Sequence, residues 1–134
     1  VMFKQNIDGA SYVCYPRRGF GTKPSDDPHY TSGVANRFFY LVAEGAVVPA
    51  GFGAGTTYNL TPASLVCNGN TALTGIGRDA AGKIWYRALT VYMTSGTNYA
   101  GARAATLSAA TDLYGNGSSQ YNAVAAAWSA VSVN

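Results

Sequence analysis

The feature that most constrains this chain is a run of apolar residues at steps of three and four: Ile76, Ala80, Ala81, Ile84, Trp85, Ala88, Leu89 and Tyr92. That spacing lays one apolar stripe along a helix of about five turns, whereas a strand would alternate by two. A lone helix cannot bury such a stripe, so partner helices are required. Val34, Phe38, Leu41 and Val42 share one face of a helix expected from about Thr31 to Glu44, with Gly45 as its stop. Thr61-Pro62 opens a short helix over about 62 to 67, and Asn98 can cap one from about Tyr99 to Leu113 that Gly115 ends. Ser118 or Ser119 can cap a last helix lined by Tyr121, Val124, Ala125, Trp128 and Val131. Gly77 and Gly82 fall inside the central helix and each costs about 1 kcal/mol relative to Ala, which predicts that another helix approaches closely there.

No β-alternation follows residue 28. Residues 1 to 28 carry Pro16, Pro24 and Pro28 without a sustained period of 2 or 3.6, and read as an irregular arm with turns. The expected fold is therefore all-α: one domain spanning residues 1 to 134, a helical bundle of about five helices over 29 to 134 with a loop-rich N-terminal arm over 1 to 28. Abundant Ala allows close helix approach.

Charged residues make up only 11% of the chain, so its surface must be built from neutral polar groups, with ten Tyr among them. The basic residues at 4, 17, 18, 23, 37, 78, 83, 87 and 103 are scattered and form no nucleic-acid patch. Gly, Thr, Asn and Pro interrupt the uncharged stretch between Gly45 and Gly77, so no apolar span suits a membrane. The first residue is not Met and no leader precedes it, so the chain is expected to start at a processed or truncated end.

Cys14 and Cys67 are the only cysteines, and a pair in a Lys-poor, Tyr- and Asn-rich chain suggests an oxidising compartment. Bonded, they would close a loop of about 54 residues and stabilise the fold by roughly 4 kcal/mol on the loop-entropy model. Two buried free thiols are the alternative; the spacing has no C-x-x-C and no neighbouring His, which argues against metal or redox work.

His29 is the only histidine and follows two carboxylates in Asp26-Asp27-Pro28-His29-Tyr30. A carboxylate beside an imidazole can fix its tautomer and hold a donor ready for a developing oxyanion. Equally, aspartates in a helix-entry loop can serve free backbone amides. With one His, one Glu at Glu44 and two cysteines, the chain cannot assemble a catalytic zinc site by itself, so no metal residues are assigned. Gly51-x-Gly53-x-Gly55 lacks the flanking strand, helix and Lys of a phosphate loop. Serine hydrolysis is disfavoured because no G-x-S-x-G elbow exists.

The run Asp27-Pro28-His29-Tyr30-Thr31-Ser32-Gly33-Val34-Ala35-Asn36-Arg37-Phe38-Phe39-Tyr40-Leu41 resembles the active-site helix entry of thermolysin-like neutral metalloproteases. Gly75-Ile76-Gly77-Arg78-Asp79, Lys83 to Leu89, Ala102-Arg103 and Ala109 to Gly115 are similar to later helices of the same family, in order. The resemblance covers roughly residues 8 to 131 and is closest to secreted bacterial members with a cysteine pair in these places. It implies the C-terminal helical half of a secreted, extracellular zinc endopeptidase, with zinc held by an N-terminal domain absent from this chain. Its partners would be that domain and a peptide or protein substrate, with no nucleic acid and no membrane.

By the same resemblance, His29 matches the histidine that stabilises the oxyanion and Asp27 the aspartate that orients it. Pro28 stands where the family often has an apolar residue such as Val, so Asp26 is kept as an orienting alternative. Tyr30 is a candidate cleft-lining residue by proximity. The family's substrate-binding arginine is not found among Val1 to Ile7 and is expected just ahead of them. Lacking H-E-x-x-H, the lone chain is expected to be inactive. A free-standing helical binding or regulatory module is the competing reading.

Overall fold

The structure is a computed structural model that describes residues 2–134. It is all-α: a single turn α1 (Pro28–Thr31) runs into α2 (Gly33–Glu44), followed by α3 (Arg78–Arg87), α4 (Tyr99–Tyr114) and α5 (Ser119–Ala130). Short 3-10 turns stand at Gln5–Asp8 and Pro62–Leu65, and the only bridge of strand type among the described residues is Gly45 to Thr74. The expected first helix is thus split at Ser32, and the expected helix at 62 to 67 is one tight turn closed by a Thr61–Ser64 capping box.

Local chemistry sets the ends. The side chain of Asn98 accepts from Gly101 N at 2.9 Å and that of Ser118 from Tyr121 N at 3.1 Å, satisfying amides that α4 and α5 leave open. At the C-terminus of α2, the carbonyls of Val42 and Ala43 accept from Ile76 N and Gly77 N at 2.8 and 2.9 Å, so the segment entering α3 closes α2.

The core is filled by Val34, Phe38, Leu41 and Val42 from α2, Ala81 and Ile84 from α3, Ala105 and Ala109 from α4, and Val124 and Trp128 from α5. Phe38 and Trp128 stack with ring centroids 3.7 Å apart and planes 11° from parallel. Trp128 Nε1 donates to Thr106 Oγ1 at 2.7 Å, and that hydroxyl donates in turn to Ala102 O at 2.9 Å. A buried aromatic of this kind is worth about 3 to 5 kcal/mol when truncated.

Two expectations about the central helix need correction. The three-and-four spacing puts Leu89 and Tyr92 in its buried stripe, but they are 47% and 39% exposed. Residues 88–92 form a π-helical turn in which Met93 N reaches back to Ala88 O at 2.9 Å, and the wider turn rotates these positions out of the core. Nor does another helix crowd Gly77 or Gly82, since a Cβ at either would meet nothing within 4 Å. Gly77 caps α3 at φ 87°, a conformation glycine adopts freely. The close approach lies at Gly75, where a Cβ would stand 2.4 Å from Ala43 O.

The arm packs as an aromatic layer. Phe20 meets Tyr12, Tyr15 and Tyr99 at centroid distances of 4.9, 5.1 and 5.9 Å. Cys14 and Cys67 are joined in a disulfide with Cα atoms 6.1 Å apart. Cys67 N donates to Ala130 O at 2.7 Å and Tyr15 N to Val131 O at 2.8 Å, so the bridge fastens the arm at the C-terminal end of α5 rather than beside the central helix.

Candidate functional site

Asp27 sits at the N-cap of α1 with extended backbone, and Pro28 occupies the first helical position, where a missing N–H costs nothing. One oxygen of Asp27, Oδ1, accepts from His29 N at 2.8 Å and lies 2.5 Å from His29 Nδ1. The aspartate therefore does both jobs that sequence reasoning held apart: it caps the turn and it holds the ring. The backbone amide of His29, and after it the ring, keeps the Asp27 carboxyl below the usual carboxylate range. The imidazole is 87% exposed and Asp27 46%, so Nε2, the ring's opposite nitrogen, is available to a partner outside this chain.

Asp26 does not meet the imidazole. Its two oxygens take a bidentate pair from Arg18 at 2.7 Å each, the backbone amides of Gly21, Thr22 and Lys23, and Tyr12 Oη at 3.1 Å. Arg18 foremost holds the Asp26 carboxyl far below the usual range. This knot closes the arm's 18–26 loop one residue ahead of the His29 turn. The sequence offered no local signal for it, since Arg18 and Asp26 are eight positions apart in an irregular segment.

Further contacts fix the turn from behind. Tyr99 Oη donates to Thr31 O at 2.7 Å and accepts from Ala35 N at 3.2 Å, pinning the α1–α2 joint to the start of α4. Burial pushes its phenol up to about 12. Tyr12 N donates to Tyr30 O at 3.0 Å, and Tyr12 O lies so close to α2 that a Cβ at Gly33 would stand 2.2 Å from it. Only glycine fits there.

His29 borders an open, polar hollow of about 440 Å³ whose other walls include Gln5, Asp8, Gly33 and Asn36. Exposed Tyr30 is on the same turn but does not line it. A larger apolar hollow between Phe3 and Tyr40 lies away from His29. Among the described residues no group of three His, Cys, Asp or Glu side chains could hold a metal ion, and the donor set does not fit zinc. No helix among them is long and apolar enough to cross a membrane.

Residues 5–133 match the family model for the thermolysin metallopeptidase α-helical domain, and the chain belongs to that family. It is 46% identical over 132 residues to the transglutaminase-activating metalloprotease of Streptomyces mobaraensis, covering 98% of this chain and 16% of that protein. Over 119 residues it is 37% identical to thermolysin of Alicyclobacillus acidocaldarius, with 89% of this chain and 18% of the relative covered. Bacillolysin of Bacillus cereus is 38% identical over 120 residues, 90% of this chain and 18% of its own length. The chain thus spans under a fifth of the length of these relatives.

Proposed function

We propose that this chain is the C-terminal half of a secreted zinc endopeptidase, in which His29 stabilises the oxyanion formed as a peptide bond is hydrolysed and Asp27 orients it. The observation that carries the reading is the Asp27–His29 pair: Nδ1 engaged at 2.5 Å, the opposite edge of the ring open to solvent, and the turn beneath tied down by Tyr99. When bound by the N-terminal half, zinc would supply Lewis-acid chemistry; the work of this chain is to present a donor. With Asp27 engaging Nδ1, the opposite nitrogen Nε2 is held toward the place where negative charge develops, and its N–H donates there. Alone, the chain has neither zinc ligands nor a general base, and it should hydrolyse no peptide.

The test is His29→Ala in the complete enzyme. Catalytic efficiency should fall about 10² to 10³ while zinc content and melting temperature hold, because the donor acts only on the transition state. Asp27→Ala should cost less turnover, since a misaligned donor remains. A lowered melting temperature with normal turnover per folded molecule would reduce His29 to a helix-entry residue.

A further inference from the structure

Besides the imidazole, one ionisable side chain lines the hollow at His29: Asp8, on the arm. The 3-10 turn Gln5–Asp8 ends at Gly9, whose φ of 73° swings the chain back so that Asp8 Oδ1 accepts from Ala10 N at 2.9 Å and Ser11 N at 2.8 Å. Ser11 Oγ donates to the other oxygen, Oδ2, at 2.5 Å. The turn is seated on α2, where Arg37 Nε donates to Gln5 Oε1 at 3.1 Å and a Cβ at Gly33 would stand 3.2 Å from Gln5 Cβ. Asp8 and His29 therefore border one open space of about 440 Å³, one from the arm and one from the α1–α2 joint.

Three neutral donors hold this carboxylate without cancelling its charge. Ser11's hydroxyl foremost, with the amides of Ser11 and Ala10, keeps the Asp8 carboxyl down to about 2. Asp8 is exposed, and among the described residues no Lys or Arg pairs with it; Lys4, close in sequence, reaches Asn6 Oδ1 at 3.5 Å instead. A carboxylate has about four acceptor sites and three are taken, so Oδ2 keeps one for a donor that enters the open space. Ser11, Ser32 and Asn36 line the same space and offer further oxygens to an ammonium or guanidinium group. Against an acidic side chain, the fixed charge of Asp8 works by repulsion. We propose that this hollow receives a lysine or arginine side chain of the peptide being cleaved, with Asp8 as the group that selects it. The proposal rests on the function proposed above, because only a peptide held at His29 brings its neighbouring residues to the hollow.

The test compares peptides that differ only in carrying Lys, Gln or Glu, with the exchange placed in turn at each residue flanking the cleaved bond. In the full-length enzyme, kcat/KM at one of these positions should be roughly fivefold higher for Lys than for Gln, and lowest for Glu. Asp8→Asn keeps Oδ1 for the Ala10 and Ser11 amides but removes the charge, and it should bring the three values together. Asn36→Asp adds a second carboxylate to the hollow and should widen the gap, which keeps the proposal refutable if Asp8→Asn fails to fold. Equal cleavage of the three peptides at every position by the unaltered enzyme overturns the subsite while leaving the oxyanion role of His29 standing. An unchanged Lys-to-Gln ratio in the variants overturns it too. So does a drop shared equally by all three peptides in Asp8→Asn, since Asp8 would then only close its turn. If the unaltered protein cuts none of the peptides, the enzyme reading fails and the subsite with it.

Discussion

Through Asp27 the described residues of the arm contain one 3-10 turn and no α-helix, and the arm is held by a disulfide, edge-to-face aromatics and the Arg18–Asp26 knot. The bundle from α2 onward uses none of these as its main fastening; it buries Phe38, Trp128 and a series of alanines and caps its own helices. The difference teaches where specificity resides in each. In the bundle, periodicity along one segment decides the structure, whereas the arm's fastenings follow no period and run from Tyr15–Phe20 within the arm to Cys14–Cys67 across the chain, so removing one fastening should release a whole stretch. His29 belongs to the first turn after this boundary and is positioned from both sides, by Tyr12 on the arm and Tyr99 on α4.

Cutting the covalent fastening should have the largest effect. Replacing Cys14 and Cys67 together by Ser should lower the free energy of unfolding by up to roughly 4 kcal/mol on the loop-entropy model, read from urea denaturation. If the loss is below 1 kcal/mol, the arm is held mainly by its noncovalent contacts, and the contrast drawn above is too sharp.

The second break is electrostatic. Asp26 is only 1% exposed, and its carboxyl is depressed chiefly by Arg18, so its contribution is fully present above the unfolded-state value near 3.8 and is lost as pH falls toward the folded one. Asp26→Asn should therefore lower the melting temperature at neutral pH and flatten its decline below about pH 4, with the two proteins converging in acid. Parallel curves would show that the knot does not respond to protonation.

How much of this was legible without coordinates divides along the same line. Val34, Phe38, Leu41 and Val42 announced α2, and Asn98, Ser118, Gly45 and Gly115 marked real helix ends, because caps and stripes act within a few residues. The Asp27–His29 pair was readable as adjacency and by resemblance, though not that one oxygen serves ring and backbone together. Leu89 and Tyr92 were misread because a π turn breaks the 3.6-residue period that placed them. Tyr99, Arg18 and Gln5 carried no signal, since their partners lie on other segments.

The smallest effect tests the misread glycine. Gly82 has open space where a side chain would go, so Gly82→Ala should raise stability by about 1 kcal/mol at most through helix propensity alone, measured by thermal or urea unfolding. A loss would bring back the close helix approach that its position first suggested.

The tie between Tyr15 and Val131, with Cys67 beside Ala130, also has a meaning in time. When the chain is made from its N-terminus the arm emerges ahead of α5, and these two ties, unlike those to Tyr30 and Tyr99, have no partner until that helix has followed. The Arg18–Asp26 knot lies wholly within the arm and needs none of the helices, whereas Tyr15 and Cys67 find their anchors only on the segment that closes α5. Of all the arm's contacts, those beside the disulfide are therefore the last to become available.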